Sequence, residues 1–252
     1  MKKESNMHSY LSLLKIQIKR TLRVPMVPIF SIVFPLIIMF SFLNGNTDGL
    51  SSSYQKDGIK LVSGLNLVII LVITMANIPA SIITAKASNL LKKLKFSEIN
   101  IPVYLSSVFV ANFLFMLLAS TITWTIAILH FNLEISTKNI VLYIFPILCV
   151  YTFFFFVGVI IANFCSDIEQ NQSVIIPVYF LSLLLSGVFI PFSVLPIKIR
   201  EFLTQYNPVY YFNSLLQINH FTFSNFLHSQ FLITLLVLFL LILTLKLKFK
   251  YE

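Results

Sequence analysis

The chain has 252 residues, of which 58% are hydrophobic and only 11% charged, and its net charge is +9. Soluble domains carry about 25% charged residues, so polar surface is too scarce here for a soluble enzyme of this size. Disorder needs low hydrophobicity and high charge, and the same figures exclude it.

What remains is an all-α integral membrane protein, rich in Phe at 26 residues. Lys2 and Lys3 are followed by polar residues through Ser9 rather than an apolar run, so no cleaved signal peptide is expected. Residues 1–23 form a cytoplasmic N-terminus. Within it Leu11, Leu14, Ile18 and Leu22 repeat at helical spacing, with Lys15, Lys19, Arg20 and Arg23 between them. This predicts an amphipathic interfacial helix with a basic face. A passive anchor and a lever that docks a cytoplasmic partner are equally compatible with it.

Residues 24–252 form the transmembrane domain. A spanning helix needs about 20 mostly apolar residues. Cutting the chain at each charge leaves five intervals that hold one, Val24–Leu43, Leu61–Ala85, Pro102–His130, Asn139–Ser166 and Gln170–Ile197, and a 44-residue interval, Phe202–Leu245, whose apolar second part, Phe226–Leu247, is read as the sixth. Six transmembrane helices are therefore predicted. Between spans two and three lies a cytoplasmic segment, 86–98. Leu90, Leu91 and Leu94 form an apolar ridge there, and Lys92, Lys93 and Lys95 point elsewhere. A short amphipathic helix is expected, with a solvated linker as the plainer alternative.

Thirteen cations fall on one side of these spans: Lys2, Lys3, Lys15, Lys19, Arg20, Arg23, Lys86, Lys92, Lys93, Lys95, Lys246, Lys248 and Lys250. The other side has five, Lys56, Lys60, Lys138, Lys198 and Arg200. The positive side is cytoplasmic, which places both termini inside. The loop with Asp167 and Glu169 carries no cation, yet six spans put it inside as well. The excess charge is thus a collar facing membrane lipid, not a nucleic-acid site.

Before the last span, Pro191, Pro196 and Pro208 break the helical pattern in a segment, 191–225, that reads as short re-entrant or interfacial helices. Irregular backbone at membrane depth is tolerated only inside protein or beside a water-filled cavity. An external gate is expected here, and an aromatic belt is the plainer reading of each Tyr and Phe.

No span places an ionisable residue near its centre, which argues against proton coupling. No metal-ligand cluster or phosphate loop occurs, so no catalytic site and no cofactor are expected in this chain. Ser186 has no nearby base and reads as a packing residue. Cys149 and Cys165 are too few for a disulfide framework and read as packing residues too.

Ser186-Gly187, Pro191, Leu195-Pro196 and Asn207-Pro208 with Tyr210 resemble the stretch before the last span in permease subunits of bacterial type-2 ABC exporters. Glu169-Gln170-Asn171-Gln172 is similar to that family's start of span five, and Leu91-Lys92-Lys93-Leu94 to part of its first cytoplasmic loop. Ala87 and Asn89 depart from it, standing where the family carries an acid and a glycine. The resemblance implies a bacterial cytoplasmic membrane, a second permease chain (identical or not) and two copies of a separate ABC ATPase holding ATP and Mg. It assigns ATPase coupling to Lys15, Lys19, Arg20, Lys86, Leu90, Leu91, Lys92, Lys93, Leu94, Lys95, Asp167 and Glu169. It assigns the external gate to Ser186, Gly187, Pro191, Leu195, Pro196, Asn207, Pro208 and Tyr210. A pathway rich in Phe and Leu suits hydrophobic or amphipathic cargo, an antimicrobial or toxin peptide or a drug. A lipid-linked polysaccharide exporter and a non-transporting immunity or sequestration protein are the alternatives.

Overall fold

A computed structural model describes residues 2–44, 52–88, 90, 101–135, 137–189 and 192–217. Helix α1, Lys2–Arg23, leads through a turn, Met26–Pro28, into a π-helical segment, Ile29–Val33, and then α2, Phe34–Leu43. Helix α3, Ser52–Leu71, passes through a second π segment, Val72–Asn77, into α4, Ile78–Ala87. Then come α5, Ile101–Phe131; α6, Thr137–Phe164; α7, Ile168–Leu185; α8, Ile197–Tyr206; and α9, Pro208–Leu215. No strand occurs among the described residues.

Among the described residues, three helical stretches are long and apolar enough to cross a membrane: Tyr54–Ala87, Ile101–Phe131 and Tyr143–Phe164. Of the six predicted spans, the first is a shorter apolar helix, Ile29–Leu43. The fifth, α7, begins with the polar run Glu169 to Gln172, which reduces its apolar length. The sixth, 226–247, lies outside the described residues. One boundary differs from the expectation. Helix α3 starts at Ser52 rather than Leu61, because Lys56, Asp57 and Lys60 are carried on its exposed face instead of ending it. Helix α7 stops at Leu185, where Gly187 takes a left-handed φ of 72°.

Both π segments lie just before a proline, Pro35 in α2 and Pro79 in α4. A proline ring collides with the carbonyl four residues back and supplies no N–H to it. A widened turn relieves that collision without breaking the helix. At the second segment α6 fits against the widened turn through Gly158, where a Cβ would run into the Thr74 carbonyl.

The stretch Ser52–Ala87 is the centre of the bundle. Leu65, Leu67, Val68, Ile69, Ile70 and Leu71 are each fully buried. A helix that is hydrophobic all round has to be surrounded. Helices α5 and α6 pack beside it, and Tyr151 of α6 donates to the Phe109 carbonyl of α5 at 2.9 Å.

Helix ends define two faces. On one, Lys86 Nζ donates to the Ala162 carbonyl at 2.7 Å, joining the end of α4 to the end of α6. On the other, α5 ends with Asn132 at φ 51°, and Leu133 N–H returns to the Ala127 carbonyl, a left-handed helix stop. Gln55 of α3 grips that turn, donating to Asn132 O at 2.9 Å and accepting from Glu134 N–H at 3.1 Å.

Candidate functional site

The N-terminal helix forms as predicted, but its apolar stripe is not the buried side. Leu11 and Leu22 are exposed, and Leu14 and Ile18 are half-buried. The face against the bundle is Leu13, Gln17 and Thr21, spaced i, i+4, i+8. In a membrane the outer solvent is apolar, so leucines are free to face lipid while polar groups must find partners inside.

Those partners form a network. Ser81 donates to Gln17 Oε1 at 3.4 Å. Asn77, at the end of the second π segment, donates to Asn112 Oδ1 at 2.6 Å and to Thr21 Oγ1 at 3.4 Å. Thr21 donates to the same Asn112 oxygen at 3.5 Å, and Asn112 Nδ2 returns to the Val108 carbonyl at 2.8 Å. Asn112 sits 11 residues past Ile101, on the order of 16 Å along α5. The end of α1 therefore packs against α5 about that far from the start of α5. A second polar pair, Ser120 donating to Asn66 Oδ1, ties α5 to α3 farther along.

Of the residues expected to couple to an ATPase, Lys15 and Lys19 are exposed on α1, and Arg20 is half-buried. Lys86 is half-buried on the Ala162 carbonyl, where an ammonium also opposes the negative end of α6. Leu90 packs against the core. Leu91, Lys92, Lys93, Leu94 and Lys95 lie outside the described residues.

Asp167 caps α7, accepting from Gln170 N–H at 2.7 Å, and Gln170 Oε1 accepts from Ser166 N–H at 2.8 Å in return. The Gln170 N–H, followed by the Ser166 hydroxyl, holds the Asp167 carboxyl below the usual carboxylate range. Glu169 is exposed in the first turn. The acidic loop that lacked cations thus stands on the Lys86 face.

Of the residues expected at an external gate, the structure brings Ser186, Gly187, Asn207 and Tyr210 together. Ser186 is fully buried, and its hydroxyl donates to Leu183 O at 2.6 Å and accepts from Val188 N–H at 3.2 Å. Asn207 donates to the Leu185 carbonyl and accepts from Val209 N–H at 3.0 Å, so one carboxamide ends α7 and starts α9. Pro208 opens α9 and Pro196 caps α8. Tyr210 stacks on Phe192 with ring centroids 5.0 Å apart, over Gly187. Leu195 is half-buried, and Pro191 lies outside the described residues.

Asn213, not expected as a site residue, donates to the Ser186 carbonyl at 2.8 Å. Val209, Phe212 and Leu216 are buried, and Phe212 packs on Phe153 and Phe154 at 4.7 and 5.3 Å. Helix α9 is thus inserted, whereas α8 buries no residue.

The missed residues share a signal. Asn66, Asn77, Asn112 and Asn213 are uncharged amides inside apolar runs, which a search for ionisable side chains passes over. Buried amides must pair, so their presence in charge-free intervals was the available clue.

An α-helical bundle with its apolar faces outward and its amides paired inside defines a polytopic membrane protein. Residues 8–221 match the family described as ABC-2 type transporter, and the chain belongs to that family, as a membrane permease subunit of an ABC transporter. Such a subunit works with a separate ABC ATPase. No curated protein and no solved structure matches the chain.

Proposed function

We propose that the chain is one of two permease chains in an ATP-driven exporter of the bacterial cytoplasmic membrane. It crosses the membrane six times with both termini inside. Two ATPase subunits supply ATP hydrolysis, and the cargo is hydrophobic or amphipathic: an antimicrobial or toxin peptide, or a drug.

One observation carries this reading. The central stretch of the bundle is solid, while α7 turns Ile176, Phe180, Leu181 and Leu184 outward, each more than half exposed. A packed interior leaves no route through the described residues of one chain. An apolar wall shared with a second chain offers one, without fixed charge, to an apolar cargo.

The residues named above then divide the work. Lys15, Lys19, Arg20, Lys86 and the 86–98 segment receive the motion of the ATPase. Asp167 and Glu169 stand on the same face. The network of Gln17, Thr21, Asn77 and Asn112 ties the N-terminal helix to the π segment, so a shift of that helix reaches the centre of the bundle. The α7–α9 junction closes the far side.

ATPase activity of the reconstituted complex tests the cargo class. Stimulation by amphipathic peptides or hydrophobic drugs is expected. A complex that ignores every such compound and responds to a lipid-linked glycan would overturn the assignment.

A further inference from the structure

Helix α8 touches α9 but buries no residue in the described chain, and of its apolar stripe only Leu203 is half-buried. Ile199, Phe202, Leu203 and Tyr206 fall at i, i+3, i+4 and i+7, a single apolar stripe. Ile199 is 50% exposed, Phe202 62% and Tyr206 65%. Successive residues turn by about 100°, so Lys198 and Arg200 flank the stripe, one on each side, and Glu201 lies nearly opposite it. Both cations are exposed.

An apolar stripe bordered by cations, with the acid turned away, is complementary to a bilayer surface whose phosphates are negative. Apolar side chains enter the acyl boundary there, and long basic side chains rise to the headgroups.

We infer that α8 is a lipid-recognition element that binds anionic phospholipid headgroups through Lys198 and Arg200, in the leaflet opposite the face holding Lys86 and Asp167. This needs only the membrane setting of the family and stands apart from the cargo reading.

The test uses the full chain in phospholipid vesicles. Its one tryptophan, Trp124, is replaced by Phe, and Phe202→Trp places the probe on the stripe. Tyr206→Trp in the same background serves as a second probe should the first variant fail to fold. Phosphatidylcholine or phosphatidylglycerol brominated on the upper acyl chain is the quencher. Stronger quenching by the phosphatidylglycerol is expected. That preference should fall by up to about fivefold for each of Lys198→Gln and Arg200→Gln. Equal quenching by both lipids would overturn the inference, as would a probe shielded from both, whether by water or by a second copy of the chain.

Discussion

The carboxamide of Asn77 donates to that of Asn112 across 2.6 Å, linking the end of a π segment to the middle of a neighbouring helix. Thr21 of the N-terminal helix joins the same oxygen. Three elements far apart in sequence thus meet at one acceptor.

Asn112→Ala leaves Asn77 and Thr21 without that acceptor. A loss of about 1–2 kcal/mol is expected in detergent unfolding, since single interhelical hydrogen bonds in membranes are worth about that or less. The coupling between Asn77→Ala and Asn112→Ala in a double-mutant cycle should be positive. Simple additivity would show that the contact does not stabilise the fold.

Gly158→Ala places a methyl group against the Thr74 backbone, which cannot rotate aside as a side chain can. A cost of about 1–3 kcal/mol is expected from overpacking. A midpoint equal to that of the parent protein would mean α6 does not approach the π segment so closely.

How much of this was legible in sequence varies by element. Charge-free intervals located the helical stretches, because a membrane admits few charges. Leucine periodicity marks α1 as a helix, but in lipid it does not say which side is inside, and Gln17 and Thr21 decide that. Pro35 and Pro79 stood in plain sight within apolar runs. Whether a proline ends, kinks or widens a helix depends on tertiary packing such as that of Gly158, which no local pattern displays. The junction of Ser186, Gly187, Asn207 and Tyr210 was anticipated as a group through the family resemblance. Its hydrogen bonds, and the part played by Asn213, needed the three-dimensional arrangement.

The α7–α9 junction makes two predictions of different kinds. Gly187→Ala meets backbone strain at φ 72° of about 1–2 kcal/mol. Asn213→Ala removes the donor to the Ser186 carbonyl, and about 1–3 kcal/mol is expected for the buried group left unpaired. Under the gate assignment Asn213→Ala should reduce transport while partner subunits still co-purify. Normal transport by a folded variant would remove the junction from the gate.

Asp167 predicts a pH effect. Its carboxyl is held low by the Gln170 N–H and the Ser166 hydroxyl. A depressed pKa contributes stability that is complete above the unfolded carboxylate range and is lost as pH falls through the lower folded value. Acid should therefore weaken the start of α7. Asp167→Asn should keep the cap and lose this part of the pH dependence, while Asp167→Ala should lose both. Thermal midpoints measured across acidic pH check this, and an unchanged profile in Asp167→Asn would contradict it.

Charge reversal at Lys92, Lys93 and Lys95 is expected to weaken ATPase docking, and Pro191→Ala with Pro196→Ala to impair transport without loss of assembly. Unchanged co-purification in the first case, or normal export in the second, would argue against those roles.

The most direct measurement is purification of the tagged chain from native membranes in mild detergent, with partners identified by mass spectrometry. A stoichiometric ABC ATPase together with a second permease chain is the predicted result. Absence of any ATPase, in several detergents and with nucleotide present, would contradict an ATP-driven exporter and favour a chain that sequesters its ligand in the membrane.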